Sequence, residues 1–133
     1  IPKSHPPIIS IFLKHAMTNG TITIHGNGTQ TRDYVYVDDA VNALVTASTA
    51  VGVDQQVINI GSGVETSVLE LVRLVRQVTG KKPEEVYNPL KNGGSSRMCA
   101  CIAKAKEKLN YIPLVPLETG LRLTIERDPQ FRE

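Results

Sequence analysis

Residues 22–39 have the sequence ITIHGNGTQTRDYVYVDD, in which β-branched, glycine-rich and charged segments follow one another in a fixed order. The alternating β-branched residues of Thr21–His25 predict a strand, and the cluster Gly26–Thr29 predicts a turn. The apolar alternation continues in Arg32–Val37, which predicts a second strand. Asp38 is placed to cap a helix after it, because a short side-chain oxygen accepts from the first free backbone N–H groups of a helix. The segment therefore predicts strand, turn, strand and helix.

The flanking segments continue this alternation of strands and helices. Pro7 opens a helix that ends near Gly20, and Ser67 with Glu70 forms a capping box ahead of an apolar helix that ends at Gly80. The fold class is therefore α/β, with one unit over residues 1–133. The apolar helical faces are large for so few strands, which suggests a core surface that a partner covers. The remaining predicted elements are strands at 56–60 and 84–87 and helices at 102–109 and 116–127.

The composition is that of an average globular protein and excludes several function classes. The chain has 133 residues, of which 41% are hydrophobic and 21% are charged, and its net charge is +2. Basic residues form no block, so nucleic acid is not the expected partner. No apolar run approaches the roughly 18 residues of a membrane span, and the first residues do not form a signal peptide. Two cysteines without a secretory feature favour a reducing cytoplasm.

The segment Gly61–Thr66 lies between a predicted strand and a predicted helix and is similar to the opening of a dinucleotide-binding fingerprint. In that motif, glycines let the backbone approach a pyrophosphate. The third glycine is replaced by Thr66, and no acidic residue ends the next strand. A plain turn between a strand and a helix is the favoured interpretation.

Three further groups of reactive residues have simpler structural explanations. Asp38 and Asp39 are neighbours and do not face each other on a helix, so a helix cap and a first-turn charge are favoured over acid–base catalysis. Cys99 and Cys101 are too closely spaced for an unstrained disulfide, and they lack the other ligands of a zinc site. The histidines supply no second pair of ligands, so no metal is expected.

Two arginines in separate loops could act on an anion. Arg32 follows the glycine-rich turn, and Arg97 lies in a second loop rich in glycine and serine. Two such side chains can grip a diphosphate through paired hydrogen bonds, which lysine cannot do. Spacing along the chain does not by itself bring them together, so ordinary surface arginines remain the alternative.

Taken together, residues 22–39 closely resemble the second half of extended short-chain dehydrogenase/reductase enzymes that act on nucleotide sugars, and the UDP-glucose 4-epimerase group in particular. Residues 57–63 look like the late strand and turn of that family, 93–111 like its arginine loop and following helix, and 117–121 like its terminal helix. The similarity extends in the correct order over nearly the whole chain from Ile8. The implied fold is the substrate-binding C-terminal portion, without the Rossmann half.

The resemblance implies a division of labour between two halves. The N-terminal half of the family binds NAD and carries a catalytic Tyr-x-x-x-Lys pair, so no catalytic and no cofactor-binding residue is expected in this chain. The substrate-binding positions carried over are Thr23 and His25, on the strand beside the base, and Arg32 and Arg97, on the diphosphate. The chain departs from the family at His25, where Tyr or Phe is common, at Gly94, where an acidic residue is frequent, and at Cys101, where Asp is usual.

The resemblance supports one main hypothesis and two alternatives. The first is the nucleotide-sugar-binding part of an NAD-dependent sugar 4-epimerase that is inactive without its N-terminal half, with a UDP-hexose as the favoured ligand. Within the family, a 4,6-dehydratase, a decarboxylase or a reductase is the alternative. Outside it, the chain is a non-catalytic module that binds a nucleotide or a protein. The expected partners are a nucleotide sugar and either the Rossmann half or a second copy packed on exposed apolar faces.

Overall fold

A computed structural model describes residues 7–90 and 96–131 of the chain, which form a small α/β fold. Gly94, a position of departure from the family pattern, lies outside the described residues. Five helices and four short strands follow one another along the described part of the chain. They are α1 (Ile8–Met17), β1 (Thr21–His25), β2 (Thr31–Arg32), α2 (Val37–Thr49), β3 (Thr66–Ser67), α3 (Val68–Thr79), β4 (Glu84–Asn88), α4 (Ala103–Leu109) and α5 (Leu117–Arg127), followed by a 3-10 turn at Pro129–Phe131.

Strands β1 and β4 pair in parallel, with Thr23 opposite Val86 and His25 opposite Asn88. Parallel neighbours need a long crossover, and here the chain from β2 to α3 supplies it. The alternation of β1 buries Ile22 and Ile24 completely against the helices. Thr23 and His25 consequently lie on the opposite face of this two-stranded sheet.

Helix α3 has the sequence signals predicted for it. The hydroxyl of Ser67 accepts from the backbone N–H of Glu70 at 3.1 Å, and Gly80 ends the helix with a positive φ of 66°. The apolar stripe of α3 packs against α1 and α5. Its buried members are Val68, Leu71, Val72, Leu74 and Val75.

Two strand predictions are wrong. Of Arg32–Val37, only Arg32 lies in a strand, β2, which pairs antiparallel with β3. The rest of the segment runs irregularly into α2, which begins at Val37. Residues 56–60 form no strand, because no described strand lies beside them to complete the backbone hydrogen bonds.

Of the two aspartates at the start of α2, Asp39 lies in the first turn as predicted, whereas Asp38 differs from its predicted role. The N-cap of α2 is Tyr36, and no side chain caps the helix, so Asp38 is not the cap. Its carboxylate pairs with Arg127 at 2.9 Å. Asp39 is buried, and its two oxygens accept from the backbone N–H groups of Leu114 and Val115, both at 3.0 Å. This carboxylate fastens α2 to the connection between α4 and α5.

The buried apolar residues form two separate clusters. The sheet-side cluster joins α1, β1, α3 and α5 and contains Phe12, Leu13, Ile22, Ile24, Leu71, Val75 and Leu121 among others. The α2–α4 cluster is smaller and contains Ala43, Ile102, Ala105, Leu109 and Tyr111.

Candidate functional site

Two backbone segments that carry the predicted arginines lie side by side. The N–H of Thr31 donates to the carbonyl of Ser96 at 3.0 Å, and the N–H of Ala100 donates to the carboxylate of Asp33 at 3.1 Å. Arg32 lies between Thr31 and Asp33 on one segment, and Arg97 lies between Ser96 and Ala100 on the other. Tertiary structure therefore brings together two arginines that are 65 positions apart in the sequence.

Asp33 joins these segments to a third one, the turn after residue 60. One carboxylate oxygen accepts from the N–H and the hydroxyl of Ser62, at 2.8 and 2.6 Å, and the other accepts from the N–H of Gly63 at 2.9 Å and from Ala100. Burial raises the pKa of Asp33, but these hydrogen bonds to the charged form outweigh it and leave the pKa below its ordinary value. The carboxylate is thus held ionised beside Arg32.

A second carboxylate holds the side chain of Arg97. Glu65 accepts hydrogen bonds from the guanidinium of Arg97, and its other oxygen accepts from the hydroxyl of Thr31 at 3.0 Å. The hydrogen bond from Arg97 is the main cause that lowers the pKa of Glu65. An anionic ligand that engages Arg97 would have to share this guanidinium with Glu65.

An open cleft of about 540 Å³ lies along these segments, within the size range of small-molecule sites. Arg32 lines it and donates from Nη1 to the carbonyl of Thr31 at 2.6 Å, while Arg97 is not among the lining residues. Met98, which follows Arg97, does line it. The other lining residues are Asp33, Val35, Asn59, Ile60, Gly61, Cys99, Ala100 and Cys101.

The two predicted contacts on β1 lie apart from this cleft. Neither Thr23 nor His25 lines it, and both lie on the sheet face opposite to the core. The carbonyl of His25 accepts from the side chain of Gln30 at 2.9 Å. The buried Nδ1 of the His25 ring has no hydrogen-bond partner among the described residues. A buried polar atom without a partner calls for an explanation.

The glycine turn that is similar to a dinucleotide fingerprint already has its donors engaged. The N–H groups of Ser62 and Gly63 donate to Asp33, so they do not point at an open anion site. A Cβ on Gly61 would lie 2.5 Å from the Cβ of Ala100 and 2.6 Å from Asp33 Oδ2. The small residue is required by close packing inside the chain, and the turn does not fit a dinucleotide.

The cysteines are both free and exposed. Partial desolvation raises the pKa of the Cys99 thiol, and the negative charges of Asp33 and Glu65 raise it further. Cys101 lies one residue before Ile102, the N-cap of α4. The described residues contain no group of three or more His, Cys, Asp or Glu side chains that could hold a metal ion.

One Tyr-x-x-x-Lys spacing does occur, at Tyr87 and Lys91. Sequence reasoning that assigned the catalytic pair to the other half of the family missed this match. Tyr87 lies in β4, and a turn at Pro89 and Leu90 follows it, so the spacing does not lie on one helix. Residues four apart share a face only within a helix, and Lys91 lies outside the described residues. The spacing is therefore not evidence of a catalytic pair.

Comparison with known proteins identifies the family. Residues 3–61 match the NAD dependent epimerase/dehydratase family. A UDP-glucose 4-epimerase of Mycolicibacterium smegmatis is 35% identical over 125 residues, which are 94% of this chain and 40% of that protein. UDP-glucuronic acid decarboxylases of Danio rerio and Xenopus tropicalis also match.

Solved structures have the same fold. The UDP-glucose 4-epimerase of Thermotoga maritima with UDP-glucose has a TM-score of 0.89 and 38% identity, over 100% of this chain and 42% of that one. The UDP-glucuronic acid 4-epimerase of Bacillus cereus in complex with UDP-glucuronic acid and NAD has a TM-score of 0.85 and 29% identity, over 95% and 40%. The chain belongs to the NAD dependent epimerase/dehydratase family, has the α/β fold of the C-terminal portion of an extended short-chain dehydrogenase/reductase, and spans about two fifths of these relatives.

None of the helices described in residues 7–90 and 96–131 is both long and apolar enough to cross a membrane.

Proposed function

We propose that this chain is the nucleotide-sugar-binding part of an NAD-dependent sugar 4-epimerase and that it takes a UDP-hexose. Arg32 and Arg97 bind the diphosphate, and Thr23 and His25 lie along the base. The isolated chain binds its ligand but catalyses no reaction, because the catalytic and NAD-binding groups belong to the N-terminal half of the complete enzyme.

The observation that carries this proposal is the pairing of the two arginine-bearing segments. Backbone hydrogen bonds at Thr31 and Asp33 hold the second segment against Arg32, beside a cleft that is open to a ligand. Arginine suits this task because its planar guanidinium matches the geometry of phosphate oxygens. The names of the relatives support a UDP-linked sugar as the ligand.

Assignment of NAD to another half is supported by the glycine turn. Its donors serve Asp33 and its space is filled by Ala100, so we assign no cofactor to the described residues. NAD bound by the other half of the complete enzyme would supply hydride-transfer chemistry at the sugar. The part played by this chain is to hold the nucleotide and thereby orient the sugar.

The decisive experiment is titration calorimetry of the purified chain with UDP-glucose. We expect Arg32→Ala to weaken binding at least tenfold, because hydrogen bonds between charged groups contribute about 1.5–3 kcal/mol. Arg97→Ala should weaken it less, since that guanidinium is shared with Glu65. Arg73→Ala is the matched control, because Arg73 is an exposed arginine that pairs with Glu70 on α3.

Two results would contradict the proposal. Absence of binding, or equal affinity for the parent and Arg32→Ala chains, would remove the assigned diphosphate site. Formation of UDP-galactose when NAD and UDP-glucose are added to the pure chain would refute the claim of inactivity.

The exposed apolar residues of α2 favour the alternative of a non-catalytic module that binds a protein. Leu44 and Val45 of α2 are exposed at 70% and 63%. Native mass spectrometry with and without UDP-glucose separates the two functions. A ligand-bound chain supports the first proposal, whereas stable dimers that take up no nucleotide favour the module.

A further inference from the structure

Two aspartates in this chain accept hydrogen bonds from distant backbone, and they differ in what they hold. Asp39 is buried and fastens the connection at Leu114 and Val115. Asp33 fastens the turn at Ser62 and the segment at Ala100. Both carboxylates stabilise loops, but only Asp33 holds a residue that lines the cleft, namely Ala100.

The turn that Asp33 holds is closely packed against its neighbours. Gly61 leaves no room for a Cβ between Asp33 and Ala100, so the two segments meet in direct contact. The carbonyl of Gly61 in turn accepts from the buried hydroxyl of Tyr111 at 2.9 Å. The turn is therefore held at the carbonyl of Gly61 by Tyr111 and at the N–H groups of Ser62 and Gly63 by Asp33.

The segment that carries Arg97 has two backbone anchors in its described part. Ser96 is held by Thr31, and Ala100 is held by Asp33. Loss of the second anchor would free the wall of the cleft at Met98 and Cys99, and it would loosen Arg97 at one end. A binding geometry made from two loops requires both loops to be held in place before the ligand arrives.

From these contacts we infer that Asp33 is the positioning residue of the cleft: its carboxylate, engaged by Ser62, Gly63 and Ala100, sets the segment Ser96–Ala100 against Arg32. This role deepens the proposed function and rests on it for the identity of the ligand. Charge and length both matter, because four N–H and O–H donors from two segments, together with the thiol of Cys99, converge on the two oxygens of this carboxylate. An amide has only one accepting oxygen and cannot satisfy them.

The test compares Asp33→Asn with Asp39→Asn by titration with UDP. Each substitution replaces one accepting oxygen in a carboxylate that holds a loop, so each destabilises the chain. We expect Asp33→Asn to weaken UDP binding about tenfold, whereas Asp39→Asn stays within twofold of the parent. Asp33→Glu restores the charge and should recover part of the affinity.

A second readout needs no ligand and uses Cys99 as a reporter in a Cys101→Ser background. The negative charge of Asp33 contributes to the raised pKa of Cys99, so Asp33→Asn should move the pH profile of alkylation by iodoacetamide to lower pH. Release of the segment should also raise the limiting rate at high pH at least threefold. Neither change is expected for Asp39→Asn.

The outcomes separate this inference from the proposed function. If the parent chain binds no UDP, the proposed function fails, and an unchanged alkylation profile in Asp33→Asn then overturns the positioning role as well. If the parent binds UDP, equal affinities for the parent and Asp33→Asn overturn the inference alone. Should Asp33→Asn fail to fold, Ser62→Ala removes one donor and retains the carboxylate, and a loss of UDP affinity of about threefold is expected; an unchanged affinity overturns the inference.

Discussion

The two apolar clusters of this chain were built from similar sequence patterns but are covered to very different degrees. In the sheet-side cluster, large side chains such as Leu13, Ile24 and Leu71 are fully buried between helices and β1. Within the described part of the chain, the α2–α4 cluster has only five buried side chains, two of them alanines. Leu44 and Val57, each next to a cluster residue in the sequence, are exposed at 70% and 83%. The first cluster completes itself within the chain, whereas the second lacks a covering layer in the described residues.

This difference shows how a helix can have apolar residues on more faces than its own fold covers. Helix α2 buries Ala43 against α4 and presents Val41, Leu44 and Val45 to solvent. Residues 56–60 have no neighbouring strand among the described residues. Exposed apolar patches of this kind mark surfaces that contact another element. The predictions below test the contrast by single substitutions, from the largest effect on stability to the smallest.

The largest loss is expected for Leu71→Ala in the sheet-side cluster. Leu71 is fully buried on α3, and its removal leaves a cavity that packed neighbours cannot fill. The free energy of unfolding, measured by urea denaturation, should fall by about 2–5 kcal/mol. A loss below about 1 kcal/mol would mean that the sheet-side cluster relaxes easily, and the contrast between clusters would be broken.

Asp39→Asn should give the next largest loss of stability. This substitution lies on α2, beside the less covered α2–α4 cluster. The buried carboxylate accepts from Leu114 and Val115, and the amide leaves one of these N–H groups without an acceptor. Unfolding free energy should fall by about 1–3 kcal/mol. Asn42→Asp, one turn along the exposed face of α2, is the control and should change little. Equal effects would show that α2 is not fastened through Asp39.

Loss of the cap on α3 should lower the free energy of unfolding by less than Asp39→Asn does. Ser67→Ala removes the hydroxyl that accepts from the N–H of Glu70, which is expected to lower the free energy of unfolding by about 1 kcal/mol. Ser48→Ala near the end of α2 is the matched control, because that hydroxyl only donates to a carbonyl within its own helix. If both variants lost the same stability, the cap would not distinguish the two helices.

The smallest effect is expected for Leu44→Ala on the uncovered face of α2. An exposed leucine contributes little, so unfolding free energy should change by less than about 0.5 kcal/mol. Fluorescence of a hydrophobic dye bound to the folded chain should decrease, since the apolar patch becomes smaller. A loss as large as that of Leu71→Ala would show that Leu44 is packed in solution, for example against a second copy.

Local signals in the sequence predicted α3 well, because Ser67, an apolar stripe and Gly80 all favour the same helix. They failed for residues 56–60, whose β-branched pattern favours a strand that needs a neighbour to pair with. They also failed at Asp38, where a capping residue in the sequence serves an ion pair with Arg127 instead. Long-range partners overrode local preference in both cases.

For the candidate site, the sequence named Arg32 and Arg97 through family resemblance but said nothing about the residue that joins their loops. Asp33 was not predicted as functional, and its only signal was its position next to Arg32. Contacts between positions 33, 62 and 100 depend on how the chain crosses over, which no local pattern encodes. The roles of Thr23, His25, Arg32 and Arg97 in binding stay predictions.

By itself, the sequence determined the helices, the strands β1 and β4 and the family, because these depend on periodicity, caps and the order of motifs along the chain. The parallel pairing of β1 with β4 came from the tertiary structure. Only the tertiary structure decided that Arg32 and Arg97 lie on adjoining segments and that the glycine turn serves Asp33. It also decided which apolar faces are covered. The physical reason is that propensity acts between near neighbours, whereas a site is made by hydrogen bonds and close packing between residues far apart in the chain.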